Sequence, residues 1–160
     1  MRNLRYYLDP HGCAKNQVDA EIMMAVLAKD GWTVCETAEA AELVIVNSCG
    51  FIESAKKESI QAVLSYKAAY PDKKLLLAGC LAQRYAVDLK DDLVEADVFF
   101  GNADLSRVTE AAVLALRGER AALVPSIDPS GLTDFASCTD DRPLPCPLQF
   151  SLCKDNRGLR

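Results

Sequence analysis

An α/β fold is predicted, three layers deep, with a mostly parallel sheet of five or six strands and helices on both faces. Three observations predict it. Short, wholly apolar runs recur, as expected of strands buried on both sides. Each run stops at polar residues or glycine, as where Leu43-Val44-Ile45-Val46 meets Asn47-Ser48-Cys49-Gly50. Each is followed by a longer stretch with helical spacing, and strands alternating with helices across short loops build a parallel sheet through right-handed crossovers.

In chain order, residues 3–9 read as the first strand and 10–15 as a loop. Asn16 suits the N-cap of a helix reaching about Asp30, with Val18, Ile22, Val26 and Leu27 (or Met23) on its inner stripe and Gly31 at its end. Residues 32–36 make a second strand, short and at the edge, and 43–47 the third. A helix over about 52–70 follows, closed by Pro71. In it Glu53 stands at contact spacing from Lys56 and Lys57, and Ile60, Val63 and Leu64 continue a buried stripe. The fourth strand spans 73–78, a helix 81–93, and the fifth strand 97–100. Asp104 caps a helix to Leu116 that Gly118 ends, and 121–124 adds a short sixth strand.

Composition narrows the function classes. With 160 residues, 50% hydrophobic and 26% charged, the chain suits one globular domain with its own core. No run approaches the ~20 apolar residues of a membrane span, and Met1-Arg2-Asn3-Leu4-Arg5 lacks the apolar segment of a signal peptide. A cytoplasmic protein without a membrane partner is therefore expected. The net charge of −5 offers no basic face for neutralising phosphates, so direct nucleic-acid binding by this domain is not expected. Seven cysteines, an odd number in a reducing compartment, point to free, catalytic or metal-bound thiols rather than disulfides.

Three of those thiols share one context. Cys13, Cys49 and Cys80 each follow a predicted strand and each adjoins a glycine: Gly12, Gly50 and Gly79. In open parallel sheets, ligands collect beyond the carboxyl ends of the strands where the strand order reverses. A flavodoxin-like order, 2-1-3-4-5, would make strands one, three and four neighbours and set the three thiols on one rim. Soft sulfur ligands select zinc, copper(I) or iron–sulfur clusters, and the closely spaced Cys-x-x-Cys pairs of structural zinc sites are absent. A cubane held by three cysteines leaves one iron open to a substrate or sulfur species.

Plainer roles compete with each of these. Free cysteine often only fills core, and Cys35 reads that way. His11 reads as a loop residue rather than a fourth ligand. Asp19 and Glu21 favour the dipole of the first helical turn rather than acid–base chemistry. Lys56, Lys57, Lys73 and Lys74 read as a solvated face, Asn16 as a helix cap that also orders the cysteine loop, and Gln83 and Arg84 as contacts to a further domain. The competing function is a non-catalytic flavodoxin-like or receiver-like module binding a phosphate-bearing cofactor or a protein. It is disfavoured because the first loop has no hydroxyl-rich or glycine-rich phosphate cradle.

The runs Gly12-Cys13-Ala14-Lys15-Asn16-Gln17-Val18-Asp19-Ala20-Glu21, Asn47-Ser48-Cys49-Gly50-Phe51-Ile52-Glu53-Ser54-Ala55-Lys56-Lys57 and Gly79-Cys80-Leu81-Ala82-Gln83-Arg84-Tyr85 resemble the N-terminal domain of the radical S-adenosylmethionine methylthiotransferases. The resemblance covers about residues 4–124. Lys15 and the Cys-Gly-Phe-Ile-x-Ser-Ala-Lys run are similar to the RimO branch, which modifies an aspartate of a small-subunit ribosomal protein, rather than to the tRNA-modifying branch. The resemblance implies that Cys13, Cys49 and Cys80 ligate an auxiliary 4Fe-4S cluster whose open iron carries the sulfur or methylsulfide inserted at an unactivated carbon, the aspartate β-carbon. It also implies a following catalytic domain whose Cys-x-x-x-Cys-x-x-Cys binds a second 4Fe-4S cluster and cleaves S-adenosylmethionine.

The spacing of Cys138, Cys146 and Cys153 does not fit that second motif, so the chain alone is expected to generate no radical. Beyond residue 124, periodicity fades and Pro, Ser, Asp and Gly accumulate, so 1–124 is expected as the iron–sulfur domain and 125–160 as linker and disorder. Phe150 to Arg160 admit codons that, read one base later, spell Ser-Pro-Tyr-Val-Lys-Ile-Thr-Glu-Gly-Cys, similar to the family's entry into its radical domain. A frameshifted or truncated product is therefore expected, with in-frame sequence lost between about Phe135 and Phe150.

Overall fold

Six strands pair side by side in one wholly parallel sheet: β1 (Arg5–Pro10), β2 (Thr33–Val34), β3 (Leu43–Ser48), β4 (Lys74–Gly79), β5 (Val98–Phe100) and β6 (Ala121–Leu123), in the order β2-β1-β3-β4-β5-β6. The structure is a computed structural model, and it describes residues 4–125. Four helices cross between the strands: α1 (Ala14–Lys29), α2 (Glu53–Ala69), α3 (Cys80–Asp92) and α4 (Val108–Arg117). All described residues belong to one compact unit, Met1–Ile127. The expected three-layer α/β fold is therefore present, with β2 at the edge and the order reversing at β1 and β3.

Strand periodicity explains how the two layers of helices are held. Leu43 and Ile45 of β3, with Leu76 and Ala78 of β4, face a core that also holds Met23 and Leu27 of α1 and Ala111, Ala112 and Ala115 of α4. Val44, Val46, Leu75 and Leu77 face the opposite core with Val63 of α2 and Leu81, Ala82 and Ala86 of α3. Every residue of β3 is buried, which is why that run reads as continuously apolar rather than alternating.

Several local expectations shift. The first long helix starts at Ala14 with Cys13 at its N-cap, not at Asn16. Val18 and Ile22, placed inside by periodicity, are 54% and 42% exposed, and the inner face is Asn16, Ala20, Met23 and Leu27. Asp19 is not a first-turn dipole partner; it is buried on that inner side and paired with Lys15. In α2 only Val63 of the expected apolar stripe is fully buried, while Leu64 is exposed at the margin.

Asp104 does cap, but it caps a short 3-10 turn, Leu105–Arg107, from which α4 continues to Gly118. Lys57 is exposed as expected, but Lys56, Lys73 and Lys74 are less solvated. Lys56 contacts Glu53 and the Tyr85 hydroxyl, Lys73 donates to the carbonyls of Glu39 and Ala41, and Lys74 meets Asp97. No helix among the described residues is long and apolar enough to cross a membrane. The expected tail beyond residue 125, with Cys138, Cys146 and Cys153, lies outside the described residues.

Candidate metal centre

The carboxyl ends of β1, β3 and β4 adjoin, with Pro10 level with Asn47 and Ser48 level with Gly79. Cys13, Cys49 and Cys80 therefore leave the sheet from three neighbouring strands on one rim. Cys13 is the N-cap of α1, Cys49 lies in the loop entering α2, and Cys80 is the first residue of α3. Helix N-termini carry partial positive charge, which favours thiolate over thiol and stabilises anionic groups bound there. Backbone N–H groups of Asn16 and then Lys15 hold the exposed Cys13 thiol below its ordinary pKa. Burial pushes the Cys80 thiol up.

Glycines let the three loops touch. A Cβ on Gly12 would stand 2.5 Å from Cys49 Cβ and 3.2 Å from its Sγ, so the first loop lies directly against the second cysteine. A Cβ on Gly50 would stand 2.8 Å from the Cys80 carbonyl, so the second loop lies against the third. Among the described residues no three His, Cys, Asp or Glu side chains converge tightly enough for one metal ion. A single zinc demands every thiolate about 2.3 Å from one point. A four-iron cluster attaches each cysteine to a different iron and so accepts sulfurs spread more widely. The donor set, three soft thiols beside loops that admit no side chain at Gly12 or Gly50, fits such a cluster.

Two asparagines brace the rim. Asn16, 1% exposed, donates through Nδ2 to the His11 carbonyl at 2.6 Å, fixing the loop that carries Cys13. Asn47, at the end of β3, donates to the Asn16 carbonyl at 2.6 Å. Its Oδ1 has no partner and is, among the described residues, the orphaned buried side-chain polar atom of the fold. The loop-ordering role expected of Asn16 is thus present, while the N-cap position of α1 is occupied by Cys13.

His11 turns away from ligation. Its Nε2 donates to Asp9 Oδ2 at 3.0 Å, its Nδ1 lies 3.4 Å from Glu58, and the Tyr66 hydroxyl donates to the same Asp9 oxygen at 2.7 Å. The bond to Asp9 holds His11 above its ordinary pKa against the opposing effect of burial. Burial of Asp9 works against its ionisation, but the bonds from His11 and Tyr66 prevail and keep its carboxyl below the usual range. Tyr66→Phe removes one of these donors from a largely buried carboxylate. It is expected to lower the unfolding free energy by about 1–3 kcal/mol in urea titrations.

The remaining candidates separate. Cys35 lies just past β2, half-buried, away from the rim loops, with its N–H bonded to the Tyr6 carbonyl. Arg84 stacks over the Phe51 ring at 3.9 Å, and Phe51 and Ile52 are 63% and 57% exposed beside Cys49. Gln83, expected to reach a further domain, instead binds within this one, to the Pro125 carbonyl and the Ala103 N–H. Sequence reasoning missed Asn102, whose Nδ2 lies 3.1 Å from Cys80 Sγ. The available signal was Gly101-Asn102, which repeats at the end of β5 the pattern of a strand ending in glycine and a polar residue.

A doubly covered parallel sheet with three cysteines on one rim, two at helix N-termini and one in the loop entering a third helix, defines a class of α/β domain. Residues 5–101 match the family described as uncharacterized protein family UPF0004, and the chain belongs to it. Its described domain is the N-terminal domain of RimO-like methylthiotransferases. The chain is 60% identical over 62% of its length to the ribosomal protein uS12 methylthiotransferase RimO of Treponema denticola, 21% of which it covers. The RimO of Heliobacterium modesticaldum is 40% identical over 96% of the chain, which covers 34% of that relative. That of Bdellovibrio bacteriovorus is 43% identical over 74% of the chain and 27% of the relative. The chain thus spans between about a fifth and a third of the length of these relatives.

Proposed function

We propose that residues 1–124 hold the auxiliary 4Fe-4S cluster of a methylthiotransferase, with Cys13, Cys49 and Cys80 as ligands, and that the intact enzyme modifies the β-carbon of an aspartate in a small-subunit ribosomal protein. The observation that carries this reading is the placement of the three cysteines on adjacent strands, each at or before a helix N-terminus. The relatives are ribosomal protein uS12 methylthiotransferases, which supports methylthiotransfer to a small-subunit ribosomal protein. When bound, the cluster supplies an open iron position for a sulfur donor.

This chain's residues do the rest. Backbone N–H groups at the start of α1 favour the Cys13 thiolate, Asn16 and Asn47 fix the loops, and exposed Phe51 and Ile52 give the rim an apolar margin toward whatever approaches it. S-adenosylmethionine and a second 4Fe-4S cluster belong, in this reading, to a radical domain that acts with this one. The net charge of −5 disfavours direct nucleic-acid contact by the domain, and the setting is the cytoplasm, where the ribosome is found.

A chimera tests the proposal. This chain's residues 4–124 replace the matching region of the Treponema enzyme in a host lacking its own RimO, and uS12 is analysed by peptide mass. A methylthiolated aspartate is expected, and it should vanish with Cys49→Ala. A chimera that folds and carries its iron yet leaves uS12 unmodified would contradict the assignment.

A further inference from the structure

The rim has a fourth contributor. β5 lies beside β4, and the loop at its carboxyl end brings Asn102 Nδ2 to 3.1 Å from Cys80 Sγ, within reach of an N–H···S hydrogen bond. On its other side the same sulfur lies 3.8 Å from Asn16 Oδ1, which accepts the thiol proton. Asn16 cannot reverse its amide to donate, because Nδ2 is committed to the His11 carbonyl at 2.6 Å. Once ligation removes the thiol proton, Asn102 is the side-chain donor left facing that sulfur among these contacts.

The loop that carries Asn102 is held for this purpose by α3 itself. Gln83, one turn beyond Cys80, accepts from the Ala103 N–H at 3.3 Å and donates to the Pro125 carbonyl at 3.0 Å. Gly101 has no side chain to obstruct the Gln83 amide, which occupies the space a Cβ would fill. Its N–H is bonded to the Leu123 carbonyl at 2.9 Å. Asn102 is thus registered to Cys80 through the helix that Cys80 begins.

We propose that Asn102 is a positioning residue for the cluster, donating a hydrogen bond to the Cys80 thiolate that raises the cluster's reduction potential. A donor to sulfur withdraws charge and favours the more negative, reduced cluster, and hydrogen bonds to ligating sulfurs are among the factors that set such potentials. The proposal rests on the assignment of Cys80 as a cluster ligand.

The test is a redox titration of the full chain, reconstituted anaerobically with ferrous iron and sulfide and followed by electron paramagnetic resonance. Asn102→Ala is expected to disfavour reduction by several-fold to about tenfold, tenfold being 59 mV for one electron. Asn102→Ser, which keeps a donor, should recover part of the shift, and Asn102→Asp, which adds a charge, should exceed it. A purely structural role would change the melting temperature without this ordered set of potentials.

An unchanged potential in loaded Asn102→Ala overturns the inference and leaves the cluster assignment standing. Wild-type chain that takes up no cluster overturns both. Should Asn102→Ala fold but fail to retain the cluster, retention by Asn102→Ser supports the contact and its absence there overturns it.

Discussion

Gly79→Ala is expected to destabilise the fold by about 3–5 kcal/mol, a large part of the stability of an ordinary domain. Gly79 has φ +98°, a conformation that L side chains rarely adopt. An added Cβ would stand 2.5 Å from the Ser48 carbonyl oxygen and 2.6 Å from Asn47 Oδ1. Both neighbours belong to β3, which is buried at every position and paired to β4 through Ser48 and Gly79 themselves, so neither strand has room to withdraw. Strain and overlap therefore add. Gly31 supplies the control: its φ is +83° but nothing lies within 4 Å of its added Cβ, so Gly31→Ala should cost only the conformational penalty of about 1–2 kcal/mol. Urea unfolding distinguishes them, and equal losses at the two glycines would contradict the close approach at the end of β4.

Cys13→Ala is expected to abolish retention of a cluster while leaving the stability of the metal-free protein within about 0.5 kcal/mol of the parent. Cys13 is exposed and fills no core, so its thiol matters only through what it binds. Cys49 and Cys80 are 1% and 4% exposed, and truncating either also removes packing, at about 1–2 kcal/mol each. All three substitutions should abolish retention to a similar degree, because one site that needs three ligands fails when any is lost. Cys35→Ala should do neither, since Cys35 lies away from the rim. Calorimetry of the metal-free variants and iron analysis after reconstitution check the two halves separately. Loss of iron that tracked burial, greatest at Cys49 and least at Cys13, would indicate that folding rather than ligation was being measured.

The sheet was legible because strands buried on both faces leave unbroken apolar runs, and Leu43 to Val46 and Leu75 to Ala78 are such runs. The order β2-β1-β3-β4-β5 was expected by likeness to flavodoxin-like sheets, since right-handed crossovers alone admit other orders, and it sets the three cysteines beyond neighbouring strands. The inner face of α1 was legible only in part: Leu27 and Met23 lie on it as expected, but its first turns do not follow the expected stripe. Val18 and Ile22 form one helical stripe, while Asn16, Ala20, Met23 and Leu27 form another, and only tertiary packing decides between them. A polar residue at the head of the true stripe concealed it: Asn16 is buried because it bonds the His11 carbonyl, a contact with no periodic signature. Asn102 was missed for the same reason. Its role depends on the distance from the end of β5 to a sulfur 22 residues earlier, and composition carries no trace of that.

The measurement that bears most directly on the three-cysteine centre is the native mass of the full chain after anaerobic reconstitution with iron and sulfide. One species heavier by a single four-iron, four-sulfide unit is predicted for the parent and for Cys35→Ala, and the metal-free mass for Cys13→Ala, Cys49→Ala and Cys80→Ala. A mononuclear adduct, or a four-iron species that survives the loss of any one of those three cysteines, would contradict it.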